Sequence, residues 1–60
     1  MKCRCGGEYK VTEEKSGGGY VWFNLICDQC GGRAGLGVPD DSYFVYQMRD
    51  YLRAEGCYEV

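Results

Sequence analysis

The chain has 60 residues, five of them cysteine, with nine acidic against seven basic side chains, no histidine and a formal net charge of −2. That length holds one small domain and leaves no room for a large catalytic cleft, and an apolar core of this size supplies only about 3–5 kcal/mol, so a covalent or metal staple is expected. Five basic and four acidic residues run through Arg33 and two basic and five acidic follow it, which confines basic surface to the first part and argues against tight nonspecific binding to DNA.

Near the start, Cys3-Arg4-Cys5-Gly6-Gly7 is echoed by Cys27-Asp28-Gln29-Cys30-Gly31-Gly32. Each segment places two sulfurs on a turn, and the glycines after them let backbone N–H groups point at thiolates. Between the two, Glu8 to Glu13 alternates in period two, Lys15 to Gly19 reads as a glycine-rich turn, and Tyr20 to Ile26 is rich in strand-forming residues. The pattern predicts a β-hairpin with Tyr9 and Val11 facing Val21, Phe23 and Leu25, and with Lys10 and Thr12 on the other face beside Tyr20, Trp22 and Asn24.

Arg33 to Val38 alternates small and apolar residues, as a short third strand does. Pro39-Asp40-Asp41-Ser42 signals a helix start, and Tyr43 to Glu55 contains no glycine or proline. In that helix Phe44, Met48, Tyr51 and Leu52 recur on one face, and Gly56 stops it. The expected fold is a small metal-bound α+β domain over residues 1–60: knuckles and a β-hairpin or three-stranded antiparallel sheet in 1–38, one C-terminal α-helix in 39–56 packed on the hairpin, and a tail in 57–60.

The sulfur spacing is C-x-C-x21-C-x2-C. A zinc ion takes four soft donors in a tetrahedron, and two turns that each offer a sulfur pair meet that demand. Cys3, Cys5, Cys27 and Cys30 are therefore the expected ligands of one Zn2+, with Cys57 as the alternative to Cys3 and a disulfide framework as the nonmetal alternative. Four thiolates leave no open coordination position, so the expected role of the ion is structural.

Cys-x-Cys-Gly-Gly, a hairpin-length insert and Cys-x-x-Cys-Gly-Gly resemble a zinc ribbon over residues 3 to about 38. The single residue between Cys3 and Cys5 departs from the usual two-residue spacer. The resemblance implies a noncatalytic binding module of the kind found in transcription, translation and nucleic-acid processing. The chain also resembles rubredoxins in its size, acidity, aromatic content and two cysteine knuckles, which implies iron and electron transfer. Its short first spacer, glycine-rich turn and C-terminal helix depart from that layout.

No Ser-His-Asp set or phosphate loop is present, and the acid pairs Glu13-Glu14 and Asp40-Asp41 read as a turn flank and a helix cap, so no enzyme is expected. A protein partner is expected on Tyr43, Tyr46 and Arg53 of the helix, with Trp22 as a further contact, in the manner of a regulator of transcription machinery. Two copies meeting through the helix is a related expectation. The alternative is a nucleic-acid interface made of Arg4, Lys10, Trp22 and Arg33. For Trp22 itself, the first reading is a ring packed beneath the helix. An accessory or inhibitor protein of a virus or mobile element is a further expectation. With no membrane-length apolar run and no secretion-signal core, the chain is expected in the reducing cytoplasm.

Overall fold

Gly18 and Gly19 take φ of 62° and 82°, the consecutive left-handed pair that lets a two-residue turn match the twist of the strands it joins. In a computed structural model that describes residues 1–58, this turn links β1 (Tyr9–Gly17) to β2 (Tyr20–Cys27). β3 (Arg33–Pro39) and α1 (Ser42–Ala54) follow. The expected glycine-rich turn is thus shorter than its composition suggests, because Lys15, Ser16 and Gly17 continue the strand. The three strands form one antiparallel sheet in the order β1-β2-β3.

A β-bulge between Val11 and Glu13 sets which residues share a face. Before it, Val11 pairs with Leu25; after it, Glu13 pairs with Asn24, Glu14 with Phe23 and Lys15 with Trp22. Thr12 is the extra residue, and its hydroxyl donates to the Asn24 carbonyl at 3.1 Å. The side-chain period is two, so one inserted residue exchanges the faces beyond it. Lys15, not Thr12, therefore lies beside Trp22. Lys10, ahead of the bulge, pairs with Ile26 on the face of Trp22 as expected, and its ammonium donates to the Gly56 carbonyl at 2.8 Å.

One sheet face carries the core: Val21, Phe23 and Leu25 of β2 are buried with Leu52 and Cys57. Met1, Tyr9, Val11, Ala34, Leu36, Val38, Val45, Met48 and Tyr58 pack around them. The other face is open. Trp22 lies there, 48% exposed, and not beneath the helix, because its neighbours Val21 and Phe23 occupy the core side of the pleat. Its ring lies over Gly37, where a Cβ would fall 2.4 Å from the indole. Tyr20 stands beside it at 5.9 Å between ring centroids.

Asp41 caps α1 by accepting from the Tyr43 N–H at 2.9 Å, which satisfies one of the donors a helix start leaves free. Leu52 is the fully buried residue of the helix. Val45 and Met48, seven and four residues earlier, lie on the same stripe, whereas Phe44 and Tyr51 sit about 80–100° round the helix from Leu52. Those two are 45% and 50% exposed, so the buried stripe is narrower than the expected Phe44-Met48-Tyr51-Leu52 face. Arg49 reaches Glu14 of β1 at 2.9 Å, a half-exposed pair worth about 1 kcal/mol or less. No described helix is long and apolar enough to cross a membrane.

Beyond α1 the chain folds back, with the Cys57 N–H bonded to the Leu52 carbonyl at 2.9 Å. The outer edge of β1 is closed by both ends of the described chain: Tyr9 N–H donates to the Met1 carbonyl at 3.0 Å and Val11 N–H to the Cys57 carbonyl at 2.9 Å. The last two residues of the expected tail lie outside the described residues.

Leu52→Ala is expected to lower the unfolding free energy of the metal-loaded protein by about 2–5 kcal/mol, and Phe44→Ala by less than about 1 kcal/mol. Denaturant unfolding in dilute solution measures both, and equal losses would mean that the helix is rotated from the position described.

Candidate metal centre

Two turns of matching design carry the sulfurs. In the first, Cys3 N–H donates to the Gly7 carbonyl at 2.9 Å and Gly6 N–H returns to the Cys3 carbonyl at 3.0 Å. In the second, Cys27 N–H donates to the Gly32 carbonyl at 2.8 Å and Gly31 N–H returns to the Cys27 carbonyl at 3.3 Å. The turns are tied to each other as well: Asp28 N–H bonds the Glu8 carbonyl at 2.9 Å, and Glu8 N–H bonds the Asp28 carboxylate at 3.0 Å. Gly7 lies at the seam. A Cβ there would stand 2.7 Å from the Cys27 sulfur.

This arrangement gathers Cys3, Cys5, Cys27 and Cys30, with all four sulfurs within 4.8 Å of one another. Cys3 and Cys30 approach to 3.6 Å and Cys5 and Cys27 to 3.4 Å. Four sulfurs about 2.3 Å from a central ion stand about 3.8 Å apart in a regular tetrahedron, so the spacing fits a tetrathiolate metal site. No disulfide joins the cysteines. Cys57 is not part of the cluster: it is buried in the core, and its sulfur lies 3.7 Å from the Met1 amine. The alternative in which it replaces Cys3 fails because the fold-back after Gly56 turns Cys57 under the sheet.

Backbone amides face the sulfurs. Gly7 N–H donates to Cys5 at 3.4 Å, Gln29 N–H to Cys27 at 3.5 Å and Gly32 N–H to Cys30 at 3.4 Å. The Cys5 amide and the Tyr9 hydroxyl hold the Cys3 thiol down to about 6. Cys27 is lowered by the amides of Cys30 and Gln29. At Cys30 the Gly32 amide favours the thiolate, yet the neighbouring sulfurs of Cys5, Cys27 and Cys3 outweigh it and push the thiol up to about 12. The Tyr9 phenol is raised by its bond to Cys3 and by that sulfur's charge. Amides aimed at sulfur favour thiolates, while crowding forbids all four charges at once. A bound cation removes that conflict.

The closed donor set would hold an ion by Cys3, Cys5, Cys27 and Cys30 and leave no position for a substrate or a reactive water. The one-residue first spacer is no obstacle, since the Cys5 amide serves Cys3 as the Gly7 amide serves Cys5. Tyr9 and Gly7 escape sequence reading: an alternating strand predicts Tyr9 in the core, and nothing in a Gly-Gly pair says which glycine lies against a sulfur.

The other candidate residues are dispersed. Tyr43 and Tyr46 are exposed on the outer side of α1. Arg53 is bonded to Asp50 at 3.3 Å and lies 6.0 Å from the Tyr58 ring centroid. Trp22 and Arg33 share the open sheet face, while Arg4 sits in the first knuckle and the Lys10 ammonium donates to the Gly56 carbonyl. By register through Ile26, Lys10 shares the face of Trp22 and Arg33. In comparison with known proteins, no protein family, no curated protein and no solved structure matches the chain.

Gly7→Ala is expected to weaken metal binding by about tenfold or more, because the Cys27 sulfur must move. Gly17→Ala, in open space, leaves affinity unchanged in the same chelator competition. Cys3→Ser abolishes stoichiometric binding, while Cys57→Ser keeps one ion per chain; the reverse result would move the fourth ligand to Cys57. Since Cys30 holds its proton at neutral pH, metal uptake releases at least one proton and apparent affinity rises with pH. Calorimetry in buffers of different ionisation enthalpy measures that release, and heats independent of buffer would contradict it.

Proposed function

We propose that the protein is a noncatalytic zinc module of the zinc-ribbon type, in which one Zn2+ completes the fold and the exposed aromatic residues bind a protein partner. The observation that carries this reading is the closed set of four cysteine sulfurs drawn from both knuckles. Zinc suits four thiolates in a tetrahedron and needs no redox partner. Structural zinc contributes about 10–16 kcal/mol in small zinc peptides, more than the few kcal/mol a core of this size supplies.

Several features support a protein as the partner. Tyr43, Phe44, Tyr46 and Tyr51 are exposed along α1, and tyrosine is enriched where proteins meet. That half of the chain is acidic, which disfavours phosphate. Work as a regulator within a larger assembly such as transcription machinery is the role the ribbon likeness implies, and a reducing cytoplasm is the compartment that keeps four thiolates available.

A second reading rests on Trp22. Its ring is open to solvent with Tyr20 beside it, and Lys15 and Arg33 lie on the same sheet face. Single-stranded bases stack on such rings at about 1–3 kcal/mol each.

Native mass spectrometry under reducing conditions is expected to find one zinc per chain. Stripping it is expected to abolish the cooperative thermal transition seen by circular dichroism. Iron loading with visible colour would favour the electron-carrier reading instead, and a chain that stays cooperatively folded without metal would overturn the structural role. Tryptophan fluorescence is expected to stay constant when single-stranded oligonucleotide is added at low salt. Quenching that fades steeply with added salt would transfer the function to the nucleic-acid reading.

A further inference from the structure

The two edges of the sheet are treated differently. β1 has its outer edge closed by Met1 and Cys57. Among the described residues, the outer edge of β3 carries a backbone bond at its end, where the Asp41 N–H donates to the Pro39 carbonyl at 2.7 Å, and none at Arg33, Gly35 or Gly37. What that edge offers follows from the ladder. Gly32 and Asp40, which bracket β3, are bonded across to Cys27 and Gly19 at 2.8 and 2.9 Å. By alternation Ala34, Leu36 and Val38 also turn their backbone groups toward β2, and the N–H and C=O groups of Arg33, Gly35 and Gly37 point outward. Pro39, at the next outward position, has no N–H to leave unpaired.

An unpaired edge is a template for another strand unless charge, a bulge or a covering segment blocks it. Here Gly35 and Gly37 have no side chains to obstruct an incoming strand on the open face. On the helix side, Val38, Phe44, Gln47, Met48 and Tyr51 line a groove of ≈ 250 Å³ beside the same edge. Phe44 and Tyr51 are the two aromatic residues of the helix flank that the single chain leaves half covered.

We propose that the occupant of this edge is a second copy of the same chain, its β3 laid antiparallel to the first with the two-fold axis at Leu36. In that register Gly35 and Gly37 of one copy exchange both backbone bonds with Gly37 and Gly35 of the other. Each Arg33 N–H faces Pro39 of the second copy, which has no N–H and whose carbonyl already accepts from its own Asp41, so the ladder rests on the four bonds between the glycines. Charge selects this arrangement. β3 starts with Arg33 and runs into Asp40 and Asp41, and antiparallel self-pairing sets each basic end beside the acidic end of the other copy. Among the described residues no ion pair engages Arg33, Asp40 or Asp41 within one chain. The joined sheets carry their two α1 helices on the same face, where the Phe44 and Tyr51 flanks meet their counterparts, an isologous contact of the kind a two-fold axis makes.

Sedimentation equilibrium of the zinc-loaded protein from about 10 μM to about 1 mM, with amide hydrogen exchange by NMR over the same range, tests the pairing. The expected result is a monomer–dimer equilibrium in which the Gly35 and Gly37 amides gain protection as concentration rises. Gly35→Pro removes an outward N–H without touching the β2 ladder and is expected to raise the dissociation constant about tenfold or more. Arg33→Asp and Asp40→Lys are each expected to weaken self-association, and mixing the two variants to restore it in part, because one end of the mixed seam again joins Arg33 to Asp40 and Asp41 and the other no longer sets only like charges together. A monomer at all concentrations overturns the proposal. So does a dimer whose Gly35 and Gly37 amides stay in fast exchange, or protection that appears only when oligonucleotide is added. Should Gly35→Pro fail to fold, the unmodified protein's exchange and the charge swap decide the question.

Discussion

Four sulfurs from two turns must share one small volume, and the rest of the fold is arranged around that demand. Thiolates this close repel one another, so the amides aimed at them and the cation they call for are parts of one electrostatic solution. The opposite displacements of Cys3 and Cys30, down to about 6 and up to about 12, express the same conflict within one cluster. Hairpin length follows from it too. The 21 residues between Cys5 and Cys27 leave the first turn and return to the second, with the Gly18-Gly19 reversal near their middle.

The sheet has one committed face and one free face, and the bulge at Thr12 separates their sequence patterns. Below it, Tyr9 and Val11 share the core side with Leu25; above it, Glu14 and Ser16 occupy that side next to the helix. The core side of β1 therefore becomes polar toward the turn, and Glu14 meets Arg49 there instead of an apolar residue. On the free face, Gly37 allows the indole of Trp22 to lie flat across the neighbouring strand. A larger residue at Gly37 would displace the ring, so the exposed aromatic surface depends on a missing side chain as much as on the aromatic residues.

Much of this was legible in the sequence, for local physical reasons. The sulfur spacing, the alternation of Tyr20 to Ile26, and the Pro-Asp-Asp-Ser helix start each concern neighbouring residues, and each corresponds to an element observed. The errors share another cause. A small domain seldom leaves its tryptophan open, which favours a covered Trp22, yet the parity set by Val21 and Phe23 overrides that preference. Phe44 and Tyr51 fit a helical period equally well, but the rotation of α1 is set by what Leu52 finds beneath it. In each case a long-range packing choice decided between locally equivalent alternatives.

The helix and the cysteine cluster are linked through the first residues of the chain. Met1 stands two positions before Cys3. Its carbonyl closes the β1 edge at Tyr9, and its ammonium donates to the Glu55 carbonyl at 3.3 Å, at the end of α1 where the helix dipole is negative. Cys57, buried under the same residue, closes the next position of that edge at Val11. A first knuckle released from metal would free Met1, and with it the contacts that hold the fold-back after α1 against β1. Tyr9 tightens the link from the other side, since its ring packs on the core while its hydroxyl favours the Cys3 thiolate. Routes through Met1 with Cys57 and through Tyr9 thus join Cys3 to the core around Leu52, and on that account the helix, although it contributes no ligand, would feel the loss of a bound ion.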